Sequence, residues 1–377
     1  MTYRLPTRPF VLPVLLVAAV LLSLGSAGAA PVAQTQWSLA DGDAQIRNLT
    51  FRLPSVKIHE VQVEGKTWQT LEIDGAAEHG SMGEPGIPVT SHLVAVPAGM
   101  TLSVSFVSAT SSPLHDLNLL PVQDPATESF AFTAAAYTQK SAAGWDEPRF
   151  QVGEPAIIAG QTVVSLTIHP VSYNPGNREA VLWTDVTLQL EFVSDPQAPL
   201  TTARTRPIPL SFARQLSTQA LGYESPVLEM DEDATSGLGT YAAVHNGSAT
   251  VMSGISDLLK WRREQGYHVV EVNTGTVGGS NAAIKSALRN IYFDENLPQL
   301  EFITIIGDVG GDFPVPSWIE TLSGYQGGGD HYYTTLDGDD ILADVHVGRI
   351  SVRDANQLAT VVEKILSSEI SPPMDDT

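Results

Sequence analysis

The 377-residue sequence contains no cysteine, which excludes disulfides, thiolate metal sites and a thiol nucleophile within it. It is also poor in positive charge: 20 Lys and Arg stand against 42 Asp and Glu, a formal charge of −22. A nucleic-acid binder needs a basic face to displace counterions from phosphates, so the balance argues against that class and suits hard cations better. Charged residues are scarce overall, at 16%, while Gly and Pro number 31 and 25. That mix points to a β-rich extracellular protein of two or three domains, and 43% hydrophobic residues suffice for real cores. No G-x-S-x-G elbow, Walker A loop, H-E-x-x-H helix or G-x-G-x-x-G turn occurs. Long apolar runs are nearly absent too. The one candidate, Phe10 to Leu24, is interrupted by Pro13 and Ser23, follows Arg4 and Arg8, and precedes Ala27-Gly28-Ala29. This is the pattern of a cleaved signal peptide over residues 1–29, with bacterial-type export and no membrane association afterwards.

What is present falls into two rhythms. From Phe51 to Val193 the apolar residues alternate: Leu102, Val104 and Phe106; Val164, Leu166 and Ile168; Val186, Leu188, Leu190 and Phe192. Val56 and Ile58 are out of phase with Val61 and Val63, which predicts a bulge at His59-Glu60, and Asn174-Pro175-Gly176-Asn177 predicts a turn between the last two strands. A β-sandwich over residues 30–195 is the expected way to bury one face of so many short strands. Residues 196–239 lack periodicity and read as an exposed linker, with Arg204, Arg206 and Arg214 as possible cut sites for a trypsin-like activity. Residues 240–377 alternate strands (Tyr241–His245, Tyr267–Val272, Phe302–Gly307, Ala343–Val347) with helices (Val251–Gln265, one capped at Ser280 or Asn281, one from Asp354), which predicts a mostly parallel α/β sheet. The pattern stops after a helix, where another strand is due, so the α/β part is expected to be incomplete.

Two local features bear on chemistry. Gly275-Thr276-Val277-Gly278-Gly279-Ser280 could cradle an anion, but a flexible loop with a Ser or Asn cap is the better reading, by about fivefold. Five aspartates fall within residues 330–344, with Asp308 at the end of the third strand. Clustered carboxylates repel unless a cation neutralises them, so this stretch is either a calcium loop or a solvated turn. Of nine histidines, His59, His79, His92, His115 and His169 read as surface or strand residues. His245 ends a strand where an α/β site could form, and His331 and His346 flank the acidic loop.

Several stretches in order resemble the gingipain-type cysteine peptidases, family C25. They are Leu259-Lys260-Trp261-Arg262-Arg263-Glu264-Gln265-Gly266-Tyr267, Ile305-Ile306-Gly307-Asp308, Asp330-His331-Tyr332-Tyr333 and Val347-Gly348-Arg349. Upstream, Gly86-Ile87-Pro88-Val89, Val96-Pro97-Ala98-Gly99 and Ile168-His169-Pro170-Val171-Ser172-Tyr173-Asn174-Pro175 resemble the family's propeptide. The resemblance implies a secreted zymogen in which an inhibitory, chaperoning sandwich precedes a caspase-like domain acting on proteins and peptides. It also implies structural Ca²⁺ held by side chains of Asp308, Asp340 and Asp344 and backbone oxygens of Asp337 and Leu342. The family's catalytic histidine and cysteine lie downstream of the matched segment, so no catalytic residue is assigned within this chain. The alternative is a non-catalytic, calcium-stabilised adhesion or binding module.

Overall fold

The structure, a computed structural model, describes residues 35–40, 45–53, 55–125, 127, 129–138, 148–196, 198, 208–224, 238–322 and 325–372. The expected signal peptide, Arg204, Arg206 and most of the stretch between 196 and 239 lie outside these residues. Residues 35–377 make one compact unit.

Among the described residues, twelve strands precede residue 222: β1 (Gln36–Leu39), β2 (Ile46–Arg52), β3 (Lys57–Val63), β4 (Lys66–Glu72), β5 (Ala77–His79), β6 (Ile87–Ala95), β7 (Met100–Leu114), β8 (Arg149–Ile158), β9 (Gln161–His169), β10 (Val171–Asn174), β11 (Glu179–Ser194) and β12 (Ala220–Leu221). The long strand β11 organises the first sheet. On one side β7 follows it antiparallel from Leu114 to Met100; on the other β10 and then β2 pair with it, and β1 extends β2. The second sheet runs β12-β6-β9-β8, with β5 added to β6. Alternation explains why the two sheets face each other. Val186, Leu188 and Leu190 of β11 meet Leu166 and Ile168 of β9 in one core, all with no exposed surface. The predicted turn joins β10 to β11, with the Arg178 N–H donating to Pro175 O. The predicted bulge at His59-Glu60 is absent: β3 pairs with β4 without a break from Lys57 to Val63. That ribbon is largely exposed on both faces, so its apolar residues need not keep one phase.

The stretch expected as an exposed linker contains a helix, α1 (Leu210–Gln219), which buries Phe212, Ala213 and Leu216. Its apolar face packs on Ala95, Ile158, Ala159 and Val163 at the outer side of the second sheet, so β9 is covered on both faces near its start. Four apolar positions on a ten-residue helix, three of them buried, are too few to stand out in a stretch rich in Thr, Ser and Pro. Arg214 is part of this helix, which does not offer the extended backbone a protease needs.

The remainder is α/β. Strands β13 (Thr240–His245), β14 (His268–Asn273), β15 (Leu300–Ile306) and β18 (His346–Ile350) form a parallel sheet in the order β14-β13-β15-β18, while β16 (Trp318–Leu322) and β17 (Tyr325–Gly329) make a separate hairpin. Helices α2 (Ala249–Glu264) and α5 (Ala355–Ile370) cover one face. The short α3 (Thr274–Val277) precedes α4 (Asn281–Phe293), which covers the other. Hence Tyr241 and Ala243 join Ile255, Leu259 and Leu358, whereas Ala242 and Val244 join Ile284, Leu288 and Tyr292. A strand buried on both faces is continuously apolar, as β13 is from Tyr241 to Val244. Ser248, Ser280 and Asp354 accept N–H bonds as N-caps, and Gly266 follows α2 at φ 103, where a Cβ would be strained. The last strand begins at His346, not Ala343, because the carboxylate of Asp344 holds the preceding residues in a turn. The glycine-rich stretch at 275–280 forms α3 and the cap of α4, with Asn273 accepting from the Gly275 N–H.

Leu188→Ala, in the shared core of the sandwich, is expected to lower the unfolding free energy by about 2–5 kcal/mol. Val107→Ala, at a half-exposed site, should cost far less. Urea midpoints of the two variants check this, and equal effects would deny the sandwich a single shared core.

Candidate functional site at the edges of the parallel sheet

The strand order β14-β13-β15-β18 reverses direction between β13 and β15, and in open parallel sheets a crevice forms outside the carboxyl ends at such a switch point. His245 ends β13 there, and Gly307-Asp308 follows β15. His245 is 1% exposed. Its Nδ1 accepts from the Gly247 N–H at 3.0 Å, and its Nε2 lies 3.3 Å from Glu271. Burial holds its pKa below the usual histidine range, against the opposing pull of Glu271. With Nδ1 accepting, the neutral ring carries its proton on Nε2 and faces that carboxylate. Across the crevice, Asp308 Oδ2 accepts from Arg353 Nε at 2.7 Å and Oδ1 accepts from the Val309 N–H at 2.8 Å. The Arg353 guanidinium is the main reason its carboxyl sits below the ordinary range. Gly307 permits the turn: it has φ 124, and a Cβ would collide with the carbonyl of Phe313.

Arg349 on β18 pins this edge. Its Nε and Nη2 each donate to Asp330 at 2.7 Å, and Nη1 donates to the carbonyls of Gly307 and Val315 at 2.8 and 2.9 Å. The fork is planar and bidentate, a geometry lysine cannot reproduce. In the sequence Arg349 stands out only as part of Val347-Gly348-Arg349; nothing local reveals that it satisfies carbonyls about 35 to 40 residues upstream.

The opposite, amino-terminal edge holds the acidic loop. Asp344 is fully buried. Its Oδ2 accepts from the N–H groups of Leu336 and Asp337 at 2.8 Å each, and Oδ1 accepts from the Ala159 N–H at 3.2 Å. Burial pushes its pKa up to about 7, although the Asp337 and Leu336 N–H bonds favour the charged form. Asp340 Oδ1 accepts from the Leu342 N–H at 2.7 Å and Oδ2 from the Ile157 N–H at 2.8 Å. His331 Nε2 meets the Ile341 carbonyl at 2.8 Å and closes the loop. Glu301, also buried, accepts from the Gly239 N–H at 2.9 Å and from Ser211 N–H at 3.4 Å. Above it, His346 stacks between Phe212 and Phe302.

The five expected calcium ligands therefore do not converge. Asp344 precedes the first residue of β18, whereas the Asp308 N–H bonds Val352 O beyond its last, a separation of roughly 20 Å at strand rise. Asp337, Asp340, Leu342 and Asp344 share one loop, but the side-chain oxygens of Asp340 and Asp344 face five backbone N–H groups. Ca²⁺ requires six to eight oxygens with their lone pairs turned inward. No group of three or more acidic or histidine side chains among the described residues is arranged to hold a metal. The arrangement does not fit a cation. Among the sandwich histidines, His59 pairs with Glu72 at the surface and His169 packs edge-to-face on His79.

The fold and these edges define an α/β unit joined to a β-sandwich in one chain, and comparison with known proteins places both. Residues 37–224 match Propeptide_C25 and residues 240–376 match Peptidase family C25. Lys-gingipain HG66 of Porphyromonas gingivalis is 25% identical over 342 residues, covering 85% of this chain and 19% of that protein. Lys-gingipain W83 of the same organism gives the same figures. The chain thus spans about a fifth of the length of the curated relatives it matches. Two solved structures are similar over part of the chain. One concerns the zymogenic latency of gingipain K from P. gingivalis, with 24% identity, 43% of this chain, 95% of that chain and a TM-score of 0.38. The other is the complex of P. gingivalis RgpB pro- and mature domains, with 15%, 50%, 98% and 0.41. The chain belongs to the C25 peptidase family, as a gingipain-type precursor.

Two outcomes follow for the carboxyl edge. Arg349→Lys loses the fork and leaves buried carbonyls without donors, which should cost about 2–4 kcal/mol by urea unfolding; a cost under about 0.5 kcal/mol would show that the fork pins nothing. His245 has a depressed pKa in the folded state, so its contribution is fully present above the unfolded value near 6.5 and declines as pH falls below it. His245→Asn keeps an acceptor for Gly247 but does not titrate. Its stability should vary less between pH 7.5 and 5 than the wild type's, and identical profiles would rule out this role.

Proposed function

We propose that the chain belongs to the precursor of a secreted cysteine-type endopeptidase. Residues 1–29 are the signal peptide, 30–195 the propeptide sandwich, 196–239 the connection, and 240–377 the amino-terminal portion of a caspase-like peptidase domain. The observation that carries this reading is the order, in one chain, of a propeptide match on the sandwich and a peptidase match on the doubly covered parallel sheet.

The chemistry is hydrolysis of peptide bonds by a thiolate. A histidine takes the thiol proton, the sulfur adds to the carbonyl carbon, and the proton passes to the leaving amine; water then releases the acyl group. Backbone N–H groups facing the developing oxyanion supply much of the stabilisation. None of the 377 residues is a cysteine, so the nucleophile comes from sequence outside them and these residues alone are inactive. Their own contribution is to build the carboxyl edge of the sheet on which such groups are presented. Arg349 fixes the Gly307 and Val315 backbone there, and the Asp308–Arg353 pair fixes the turn after β15. The substrates are proteins and peptides, and the propeptide is the partner of its own catalytic domain.

The test uses the full parent protein after removal of its propeptide. It should hydrolyse a peptide substrate and lose that activity on thiol alkylation, while the 377-residue chain shows none. Hydrolysis that survives alkylation, or its absence from the parent, would count against the peptidase and favour a non-catalytic module.

A further inference from the structure

The amino-terminal edge of the parallel sheet carries a contact that peptide hydrolysis does not require. The β8–β9 hairpin turns through Ala159 and Gly160, both at positive φ (49 and 89). This is the backbone of a two-residue hairpin loop, which normally favours Asn or Gly at its first position. An alanine there is strained, and its N–H points at Asp344. Two residues earlier the Ile157 N–H, on the outer edge of β8, points at Asp340. Among the described residues no further strand pairs with this edge, since β8 is the last strand of its sheet. The contact has an apolar floor as well. Leu342, between the two aspartates, packs against the buried cluster that contains Ile158, Ala159, Phe212 and Leu216, and a Cβ on Gly338 would sit 3.5 Å from the Ile157 side chain.

We propose that Asp340 and Asp344 form a two-carboxylate socket for the backbone amides of the β8–β9 hairpin, and that the acidic loop docks the sandwich onto the amino-terminal edge of the α/β sheet instead of holding a cation. The names propeptide and peptidase for the two partners rest on the reading above; the contact itself does not. The socket explains why Asp340 and Asp344 are acidic. Each edge amide of a hairpin presents one donor, and a carboxylate accepts it with a charge-assisted bond while its other oxygen stays tied to its own loop. It also explains the loop's geometry: the Leu336, Asp337 and Leu342 N–H groups hold the two carboxylates in place before the hairpin arrives. The hairpin amides and a cation would compete for the same oxygens. The site lies at the opposite edge of the sheet from His245 and Asp308.

Hydrogen exchange on the intact 377-residue chain tests this. Asp340→Ala removes the acceptor, and Ile157→Pro removes the donor of the same bond from the other side. Each should speed exchange at the Ala159 amide and across residues 336–344 by about tenfold or more, with β13 and β15 unchanged. Asp339→Ala, which removes an equal charge from an exposed neighbour, should leave both segments as they are. Millimolar CaCl₂ should not slow exchange at the hairpin. Unchanged exchange in both Asp340→Ala and Ile157→Pro overturns the socket, as does slowing of both segments by CaCl₂. The readout is exchange and not hydrolysis, so failure of the socket and failure of the peptidase reading are separate results.

Discussion

A parallel sheet buried on both faces has only its two ends through which to meet anything polar. Every backbone group at those ends, and every side chain just beyond them, must find a partner or water. Here the two ends are used differently. At the carboxyl end the chain turns sharply after β15, and one arginine satisfies the carbonyls this turn strands: Arg349 reaches Gly307, Val315 and Asp330 at once. At the amino end the strands are entered from the sandwich side, and three acidic residues, Glu301, Asp340 and Asp344, accept amides that would otherwise be stranded. Cations tie carbonyls at one end and carboxylates tie amides at the other.

How much of this was legible in the sequence depends on the range of the interaction involved. Elements stabilised by their own periodicity are visible: β11 with Val186, Leu188 and Leu190, and α2, α4 and α5 with their Ser and Asp caps. The parallel sheet follows from helices alternating with apolar strands. Elements stabilised by distant partners are not visible. Helix α1 gains its stability from Ala95, Ile158 and Val163, residues about 50 to 115 positions away, and its own pattern is weak. The phase slip between Ile58 and Val61 suggested a bulge only on the assumption that one face of β3 was buried, and neither is. The start of β18 was misplaced for a related reason: Ala343 and Val345 look like strand residues, but Asp344 between them bonds backward into its own loop.

The acidic loop shows the same limit applied to function. A run of aspartates announces that something positive must face it, and sequence alone offers a metal ion as the simplest candidate. Backbone amides are also positive, but no residue type encodes them, so they are invisible until the fold brings them near. The Ile157 and Ala159 amides come from a hairpin about 180 residues upstream. The same blindness explains why Asp308 was grouped with the loop. It is acidic and near in sequence, yet it lies at the other end of the sheet, already paired with Arg353.

Apolar and polar contacts divide the work where sandwich and sheet meet. Phe212, Leu216, Ile158 and Leu342 remove apolar surface from water, which is favourable in many relative positions of the two partners. The carboxylate–amide bonds are favourable in one position only. A shift of the hairpin by one residue would turn the Ile157 N–H away from Asp340, since successive strand amides point to opposite edges. Burial of Asp344 raises the stakes further, because a buried carboxylate without its donors is far more costly than an exposed one. The apolar floor therefore supplies the attraction, and the two aspartates supply the register. A contact built this way holds the sandwich in one orientation for as long as both amides stay in place, and it loses that orientation before it loses its attraction.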